Sequence, residues 1–495
     1  MPFFLGIDVS TTATKVLLVD GSGSVICVDG SPYGLSTPKP LWAEQDPELW
    51  WQATRRSLGE VLRRSGVSPQ EIQGIGLTGQ MHGLVLLDRE DRVLRPAILW
   101  NDQRSALQCQ AMRDQLGLAE LVRITGNDAF PGFTAPKLLW VREHEPEVYQ
   151  RIHKILLPKD YVRFCLTGAH ATDLAGAGGT LMLDLDQRAW SSELLDTFDI
   201  PSPWLPPTHE GTDITGRVSR AAAAATGLRE GIPVVAGGGD QAAQAVGVGA
   251  IRPGIVALTL GTSGVVFASS DRPLTQEDGS LHAFPHAVPD TWHVMGVMLS
   301  AAGSLRWYRD VAAPDEEFGG LDEAAACIEP GAEGLTFLPY LSGERTPHAD
   351  PTARGAFVGL TLKHERAHLT RAVLEGVAFG LRDNLALMAE VGLETVNEVR
   401  ISGGGAKSPV WRQILADVLG VDLVSVQATE GAAFGAALLA GVGTDHWSSV
   451  VEACEATVRL GEVTRPDVEA HRGYDPIYER FRALYPSLRD HFQSP

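Results

Sequence analysis

Two carboxylates stand just past the ends of apolar segments, where phosphoryl-transfer chemistry would need them. The first, Asp8, follows the apolar segment 3–7 and begins a turn that contains Thr11 and Thr12. Small side chains let a phosphate approach the backbone, while Asp8 could hold Mg²⁺ and Lys15 could neutralise phosphate charge. An ordinary hairpin turn with a solvated Asp8 is the alternative. The turn is not a P-loop, because the chain contains no Gly-Lys-Ser or Gly-Lys-Thr sequence.

The second carboxylate, Asp240, follows three consecutive glycines at the end of the apolar segment 232–236. Glycines 237–239 leave the main chain uncovered, which suits a substrate that must touch the backbone. Asp240 would then accept the proton of an attacking hydroxyl. Ordering glycine costs more conformational entropy than ordering any other residue, so such a run needs a reason. A flexible turn is the alternative.

A polar loop, 78–83, follows the apolar segment 72–77 and contains Met81 and His82. His82 could hydrogen-bond a substrate hydroxyl, because neutral imidazole offers one donor and one acceptor. A single histidine is more often a surface or core residue, and that alternative stays open here.

Two glycine turns occupy matching places in the chain. One contains Gly261 and Thr262, and the other contains Gly404 and Gly405. Neither has the Gly-x-Gly-x-x-Gly spacing and later acidic residue of a dinucleotide-binding fold. Each could be a plain turn, but their matched positions favour a single nucleotide framed by both, with phosphates at one and adenosine at the other.

The order of predicted elements repeats along the chain: a hairpin, a helix, and a strand that ends in a glycine-bearing loop. Hydrophobic periodicity predicts the first round at 3–7, 16–19, 25–28, 47–64 and 72–77. It predicts the second round at 255–260, 265–268, 369–388 and 399–401, with a further helix from Pro409. The repeat predicts an α/β protein whose two related domains face each other across a cleft.

Domain boundaries follow from this repeat. The first domain is predicted to span 1–246, with an insertion of about 104–233 that has no counterpart in the second half. The second domain is predicted to span 247–443. A polar segment, 444–495, is predicted to form a helical tail.

Composition excludes several classes of protein. A chain of 495 residues is longer than one domain with a single hydrophobic core usually is. Its composition, 44% apolar and 21% charged residues, is typical of folded domains. A net charge of −20 provides no basic field for nucleic acid and repels anionic membranes. We find no signal peptide and no run of 18 apolar residues. Five widely spaced cysteines favour neither disulfides nor zinc, so we expect a cytoplasmic protein.

The chain resembles the FGGY carbohydrate kinases over almost its whole length. Residues 132–143, GFTAPKLLWVRE, are similar to the first signature of that family. Residues 355–360, GAFVGL, continuing through 368–375, are similar to the second. The resemblance implies the actin/hexokinase-type, or ribonuclease H-like, fold, with ATP and Mg²⁺ as cofactors and a homodimeric assembly.

The resemblance also implies roles for individual residues. Asp240 is implied to be the catalytic base and Asp8 the metal-linked carboxylate, while Met81 and His82 are placed on the sugar. The residues that it places around the nucleotide are Thr11, Thr12, Gly261, Thr262, Gly404 and Gly405. One position departs from the family: Ser10 stands where glycine is usual, which would add strain if the turn needs a positive φ.

Within the family, four stretches resemble the members that phosphorylate xylulose: 41–47, 80–83, 99–102 and 338–347. They imply ATP-dependent conversion of D-xylulose to D-xylulose 5-phosphate in pentose catabolism, with ribulose, a pentitol or glycerol as alternative substrates. Two other classes are a non-catalytic sugar sensor and an actin-like filament or chaperone ATPase. The sensor should have lost Asp240 or gained a basic DNA-binding segment, and the ATPase should lack both signatures.

Overall fold

Alternate residues of the first strands point into different hydrophobic cores. The computed structural model describes residues 1–427 and 430–492. Strand β1 (Phe3–Val9) places Leu5 and Ile7 in one core and Phe4 in another. Strand β2 (Ala13–Asp20) alternates in the same way. This period of two is the pattern of a sheet covered on both faces.

The first sheet also contains β3 (Val25–Pro32), β4 (Ile72–Gly79), β5 (Ile214–Arg217), β6 (Pro233–Val235) and β7 (Gly238–Gly239). In the described residues its order is β5-β6-β4-β1-β2-β3, with β7 also paired to β4. The β1–β2–β3 meander is antiparallel, and β4 is parallel to both β1 and β6.

The second sheet repeats this arrangement. Its strands are β8 (Ile255–Leu260), β9 (Gly264–Ser270), β10 (His282–Pro285), β11 (Trp292–Met298), β12 (Glu398–Ser402), β13 (Asp422–Val426) and β14 (Leu460–Thr464). Their order in the described residues is β10-β11-β9-β8-β12-β13-β14. Strand β12 is parallel to β8 and β13, as β4 is to β1 and β6. The predicted fold class, two related α/β domains, is confirmed.

The long helices are α1 (Pro47–Ser65), α2 (Ala106–Leu116), α3 (Leu118–Thr125), α4 (Thr134–His144), α5 (Pro158–Thr167), α6 (Asp240–Val248), α7 (Ala302–Ala312), α8 (Arg366–Glu390), α9 (Pro409–Leu419), α10 (Gly431–Gly443), α11 (Val450–Thr457) and α12 (Val468–Phe492). Two of the sequence signals are seen directly. Gly66, at φ 67°, ends α1, and Pro409 is the first residue of α9. No described helix has the length and apolar composition needed to cross a bilayer.

Further helices and 3₁₀ turns are Pro69–Glu71, Pro146–Tyr149, Leu174–Gly178, Ser192–Thr197, Ser202–Trp204, Arg220–Thr226, Phe318–Ala326, Ala332–Gly334 and Gly405–Lys407. Short strands outside the two sheets are Glu44–Gln45, Val85–Leu87, Ala97–Ile98, Lys154–Leu156, Thr172–Asp173, Leu183–Asp184, Ala189–Trp190, Thr208–His209, Thr336–Leu338 and Ala356–Val358.

The extent of two predicted segments needs correction. The predicted insertion of about 104–233 contains α5 and β5, and both belong to the first sheet domain: α5 packs in its core and β5 pairs with β6. The predicted helical tail, 444–495, contains β14, which pairs with β13. The insertion was predicted from the lack of a counterpart in the second half and the tail from its polarity, whereas sheet pairing is decided by distant partners. Residues 493–495 of that tail lie outside the described part of the chain.

Helix α10 lies in the chain between β13 and β14 of the second sheet, but it covers the first sheet. An added Cβ on Gly6 would lie 1.8 Å from the carbonyl oxygen of Ala433, so β1 meets the α10 backbone directly. Helix α10 also crosses α6 closely, because a Cβ on Gly435 would lie 1.9 Å from the carbonyl oxygen of Ala243. Only glycine permits backbones to approach this closely. The two halves of the molecule are therefore joined through α6 and α10.

Candidate active site

The ends of neighbouring strands bring Asp8 and the Asp240 loop to the same edge of the first sheet. Asp8 on β1 and Gly238 on β7 both pair with Thr78, from opposite sides. Two strand spacings, roughly 10 Å, therefore separate the Asp8 and Gly238 backbones. Asp240 begins α6 immediately after β7. Asp8 and the residues that lead into α6 therefore lie at the same edge of the first sheet.

Burial makes both carboxylates unusually basic. It raises the pKa of Asp8 to about 7, and the nearby negative charge of Asp240 contributes to that rise. Burial also raises the pKa of Asp240 to about 6, although the Gln241 N–H, 2.8 Å from Oδ1, favours the charged form. The Asp8 Oδ1 atom is buried without a hydrogen-bond partner in the described residues. An unpaired carboxylate oxygen beside further negative charge fits a divalent cation.

Lys15 on β2 pairs with Asp8 on β1, but its side chain is engaged in an ion pair. Its Nζ is 2.7 Å from Oε2 of Glu430, the residue that precedes α10. The charge of Lys15 lowers the pKa of Asp8, whereas that of Glu430 raises it. Glu430 was not predicted to act here, because it lies 415 residues from Lys15 and has no local signal. Contact between Lys15 and phosphate stays a prediction, and it would require exchange of this ion pair.

The turn after Asp8 is held by its own hydrogen bonds. The N–H and hydroxyl of Ser10 donate to the Ala13 carbonyl oxygen at 3.0 and 2.8 Å. Ser10 is not among the residues with positive φ, so serine brings no strain here. Thr12 is exposed, and the Thr11 hydroxyl accepts a hydrogen bond from the Trp100 indole at 2.9 Å. Both threonines therefore lie at the open edge of the site.

The corresponding turn of the second sheet joins β8 to β9. The carbonyl oxygen of Gly261 accepts from the Ala302 N–H, and that of Thr262 accepts from the Gly303 N–H, at 2.9 and 3.1 Å. These bonds fix the turn against the first residues of α7. The Thr262 side chain is exposed, like that of Thr12 in the equivalent turn. Nucleotide contact by Gly261 and Thr262 stays a prediction.

The two predicted glycines after β12 differ in their surroundings. An added Cβ on Gly404 would meet no atom within 4 Å, whereas one on Gly405 would lie 2.6 Å from the Leu260 side chain. Gly403, at φ 97°, turns the chain toward them. Gly404 thus exposes backbone to the space outside the protein, as a nucleotide site requires. Gly405 is needed for packing against β8.

The sugar loop, which is the predicted sugar-binding segment 78–83, packs directly on the backbone that precedes Asp240. A Cβ on Gly239 would lie 2.8 Å from Cγ of Met81, so Met81 covers the backbone next to Asp240. His82 has a φ of 71°, and its Nδ1 is 2.6 Å from the carbonyl oxygen of Gly179. Burial lowers the pKa of His82 to about 3, so the ring is neutral. A carbonyl oxygen only accepts, so Nδ1 carries the hydrogen and Nε2 is left as an acceptor for a hydroxyl.

Two residues of the 132–143 segment hold His82 in this conformation. The Thr134 hydroxyl and Nζ of Lys137 both donate to the His82 carbonyl oxygen, at 2.9 and 3.0 Å. Lys137 is fully buried, and burial lowers its pKa well below the usual value. Neither residue was predicted to act at the site, although the signature that contains them was recognised. We assign them as positioning residues.

The tryptophans of the first domain divide into core and surface residues. Trp50 and Trp140 are buried, with 0% and 6% of their surface exposed, while Trp100 is 43% exposed. Trp100 also bonds to Thr11, as described above. It is therefore the tryptophan placed best to face a ligand at this edge.

Comparison with known proteins places the chain in a family. The N-terminal domain of the FGGY family of carbohydrate kinases matches residues 3–247, and the C-terminal domain of that family matches residues 256–444. The chain belongs to the FGGY family of carbohydrate kinases. It is thus an enzyme that transfers a phosphoryl group from ATP to a carbohydrate.

Individual FGGY relatives match over nearly their full length. The xylulose kinase of Escherichia coli K12 is 44% identical over 486 residues, covering 98% of this chain and 99% of the relative. A crystal structure of a xylulose kinase from Brucella ovis is 41% identical, with a TM-score of 0.92 and 99% of each chain covered. A gluconate kinase from Lactobacillus acidophilus is 28% identical, with a TM-score of 0.94 and 98% coverage of each chain. The fold alone therefore does not select the sugar.

Proposed function

We propose that this FGGY kinase transfers the γ-phosphoryl group of ATP to O5 of D-xylulose, giving D-xylulose 5-phosphate and ADP. The observation that carries the proposal is the packing of Met81 against the Gly239 backbone next to Asp240, with His82 following Met81 in the same loop. It sets a soft apolar side chain and a neutral hydrogen-bond acceptor beside a candidate base. Full-length similarity to the E. coli xylulose kinase supports the choice of sugar.

Asp240 would accept the proton of the attacking hydroxyl as the bond between that oxygen and the γ-phosphorus forms. The bond from the γ-phosphorus to its bridging oxygen breaks, and ADP leaves with the bonding electrons. The pKa of about 6 suits this role, because the carboxylate is charged at neutral pH yet is a stronger base than an exposed aspartate. His82 and Met81 would orient the sugar, which converts a bimolecular encounter into a positioned reaction.

Asp8 would hold Mg²⁺, because its orphaned Oδ1 and the surrounding negative charge fit a divalent cation. Mg²⁺, when bound, neutralises the negative charge of the phosphates. Thr11, Thr12, Gly261 and Thr262 would surround the phosphates. Gly404 would provide uncovered backbone for the rest of the nucleotide.

The test is a substrate panel of D-xylulose, D-ribulose, xylitol, glycerol and D-gluconate, with ADP release followed for each. We expect D-xylulose to give the highest kcat/KM, and ³¹P–¹³C coupling in the product to place the phosphate on C5. A higher kcat/KM for another member of the panel would replace xylulose by that substrate. ADP release without any sugar, together with sedimenting filaments, would favour the ATPase alternative.

Two further expectations, a homodimeric assembly and a cytoplasmic location, remain predictions. Sedimentation equilibrium should give twice the mass of one chain if the protein is a homodimer. Fractionation of the source cells should recover the activity in the cytoplasm. A monomer, or activity in another fraction, would contradict the respective expectation without affecting the proposed reaction.

A further inference from the structure

A row of aromatic and basic side chains extends the sugar loop into the second half of the molecule. The Phe133 ring lies 4.7 Å from that of His82 and 5.9 Å from that of His282. The Phe130 ring lies 5.5 Å from that of His282, and the Arg345 guanidinium lies 5.8 Å from the Phe130 ring. The row therefore leads from the proposed sugar contact at His82 to two residues of the second half, His282 and Arg345.

His282 presents a buried acceptor that is not used within the described residues. Its Nδ1 is 2.9 Å from Oδ1 of Asn127, whose amide nitrogen donates to the carbonyl oxygens of Thr125 and Ala283. Oδ1 of Asn127 is thus an acceptor, so Nδ1 of His282 carries the hydrogen and Nε2 bears a lone pair. His282 is 2% exposed, and its Nε2 has no hydrogen-bond partner in the described part of the chain. Such an acceptor is unfavourable unless a ligand supplies a donor.

Arg345 is held by its neighbours while its own side chain stays uncommitted. The Glu344 carboxylate accepts from the N–H groups of Leu299 and Arg345, at 2.9 and 2.8 Å. The Thr346 N–H donates to the Val297 carbonyl oxygen at 3.1 Å. In contrast to this anchored backbone, the half-buried guanidinium forms no ion pair or hydrogen bond with any described residue. Its fixed fork of donors can accordingly meet a ligand oxygen.

We propose that His282 and Arg345 together bind the 1-hydroxyl group of the ketose, the end that is not phosphorylated. A hydroxyl group both donates and accepts, and this pair offers one acceptor and several donors. A ketone or a carboxylate could accept from Arg345 but could not donate to Nε2 of His282. The inference rests on the proposed function, because it takes the sugar to run from Asp240 past His82.

The assignment makes the sugar a bridge between the two halves of the protein. Asp240 and His82 belong to the first half, and His282 and Arg345 belong to the second. A substrate without the 1-hydroxyl should leave the buried acceptor unmatched, and sites built for a hydrogen bond reject such analogues strongly. Arg345 is thus assigned as a specificity-determining residue.

The test compares D-xylulose with 1-deoxy-D-xylulose in the full-length protein and in Arg345→Met and Arg345→Lys. Arg354→Met is the matched control, because Arg354 is on the same loop and, among the described residues, donates to the nearby carbonyl oxygens of Pro351 and Ala353. We expect wild type and Arg354→Met to prefer xylulose by about 10- to 100-fold in kcat/KM. Arg345→Met should lose most of that preference through a higher KM for xylulose, with the KM for ATP unchanged, and Arg345→Lys should be intermediate.

The outcomes separate this inference from the proposed function. If Arg345→Met keeps the wild-type preference, or lowers kcat/KM for both sugars equally, the inference is wrong while xylulose turnover by wild type stands. If wild type turns over neither ketose, the proposed function fails and the inference with it. If wild type phosphorylates gluconate best and Arg345→Met abolishes that activity, Arg345 binds a carboxylate and the hydroxyl assignment is wrong. Because Arg345 is half-buried, its variants should fold, and a melting curve checks this.

Discussion

Replacing Asp240 by asparagine removes the proposed base while preserving its shape. The amide cannot take up the proton of the attacking hydroxyl, so kcat should fall by about 10²- to 10⁴-fold. Binding of ATP and of xylulose should change little, since the side chain keeps its volume. The structure adds a second quantity, the pH at which wild-type activity is lost. Burial raises the pKa of Asp240 to about 6, against 3.8 for an ordinary aspartate.

The sign of the pH effect follows from that rise. Below pH 6 Asp240 is protonated and cannot act as a base, so kcat/KM should fall about tenfold per unit as the pH decreases. Initial rates from pH 4.5 to 8.5 at saturating Mg²⁺, which would keep Asp8 ionised, measure this limb, and the asparagine variant should lack it. Glu210→Gln is the control, because burial also raises the pKa of Glu210, which pairs with Arg188 instead. Activity of Asp240→Asn within about threefold of wild type, or a limb near pH 4, would refute the reasoning.

Four other substitutions test separate parts of the structure. Asp8→Asn should raise the melting temperature at pH 8 without Mg²⁺. The pKa of Asp8 is raised in the folded protein, so the folded protein loses stability as this carboxyl ionises between pH 4 and 7. Added Mg²⁺ should stabilise wild type but not the variant. Lys137→Met should raise the KM for xylulose more than that for ATP, since it frees the carbonyl of the sugar loop. Gly404→Val should raise the KM for ATP at an unchanged melting temperature, because its side chain would enter open space. Gly435→Ala should lower the free energy of unfolding by about 1–3 kcal/mol in denaturant titrations, as its Cβ would clash with backbone.

Local signals in the sequence predicted several turns and helix ends in both domains. The turn after Asp8, the end of α1 at Gly66 and the start of α9 at Pro409 depend on neighbouring residues, and each appears in the structure. Asp8 and Asp240 were each predicted near the end of an apolar strand, and in the structure both strands end at one edge of the first sheet. The sequence could suggest these features because conformational preference and strand polarity act over a few residues.

Contacts between distant parts of the chain could not be predicted in this way. Glu430 pairs with Lys15 across 415 residues, and nothing in the local sequence of either one indicates the other. The unused acceptor of His282 depends on the orientation of the Asn127 amide, which is 155 residues away. Such pairs are decided by packing, so the sequence can nominate the residue types but not their partners.

The packing of α10 on the first sheet affects how the chain folds during translation. The apolar face that contains Phe4 and Val19 is completed by α10 residues such as Leu438. These emerge from the ribosome roughly 180 residues after the first family domain has been made, a delay of roughly 10–40 s at ordinary elongation rates. During that interval the nascent chain exposes a hydrophobic surface that α10 has not yet covered. It should therefore depend on ribosome-associated chaperones. For the same reason, residues 1–247 expressed alone should aggregate.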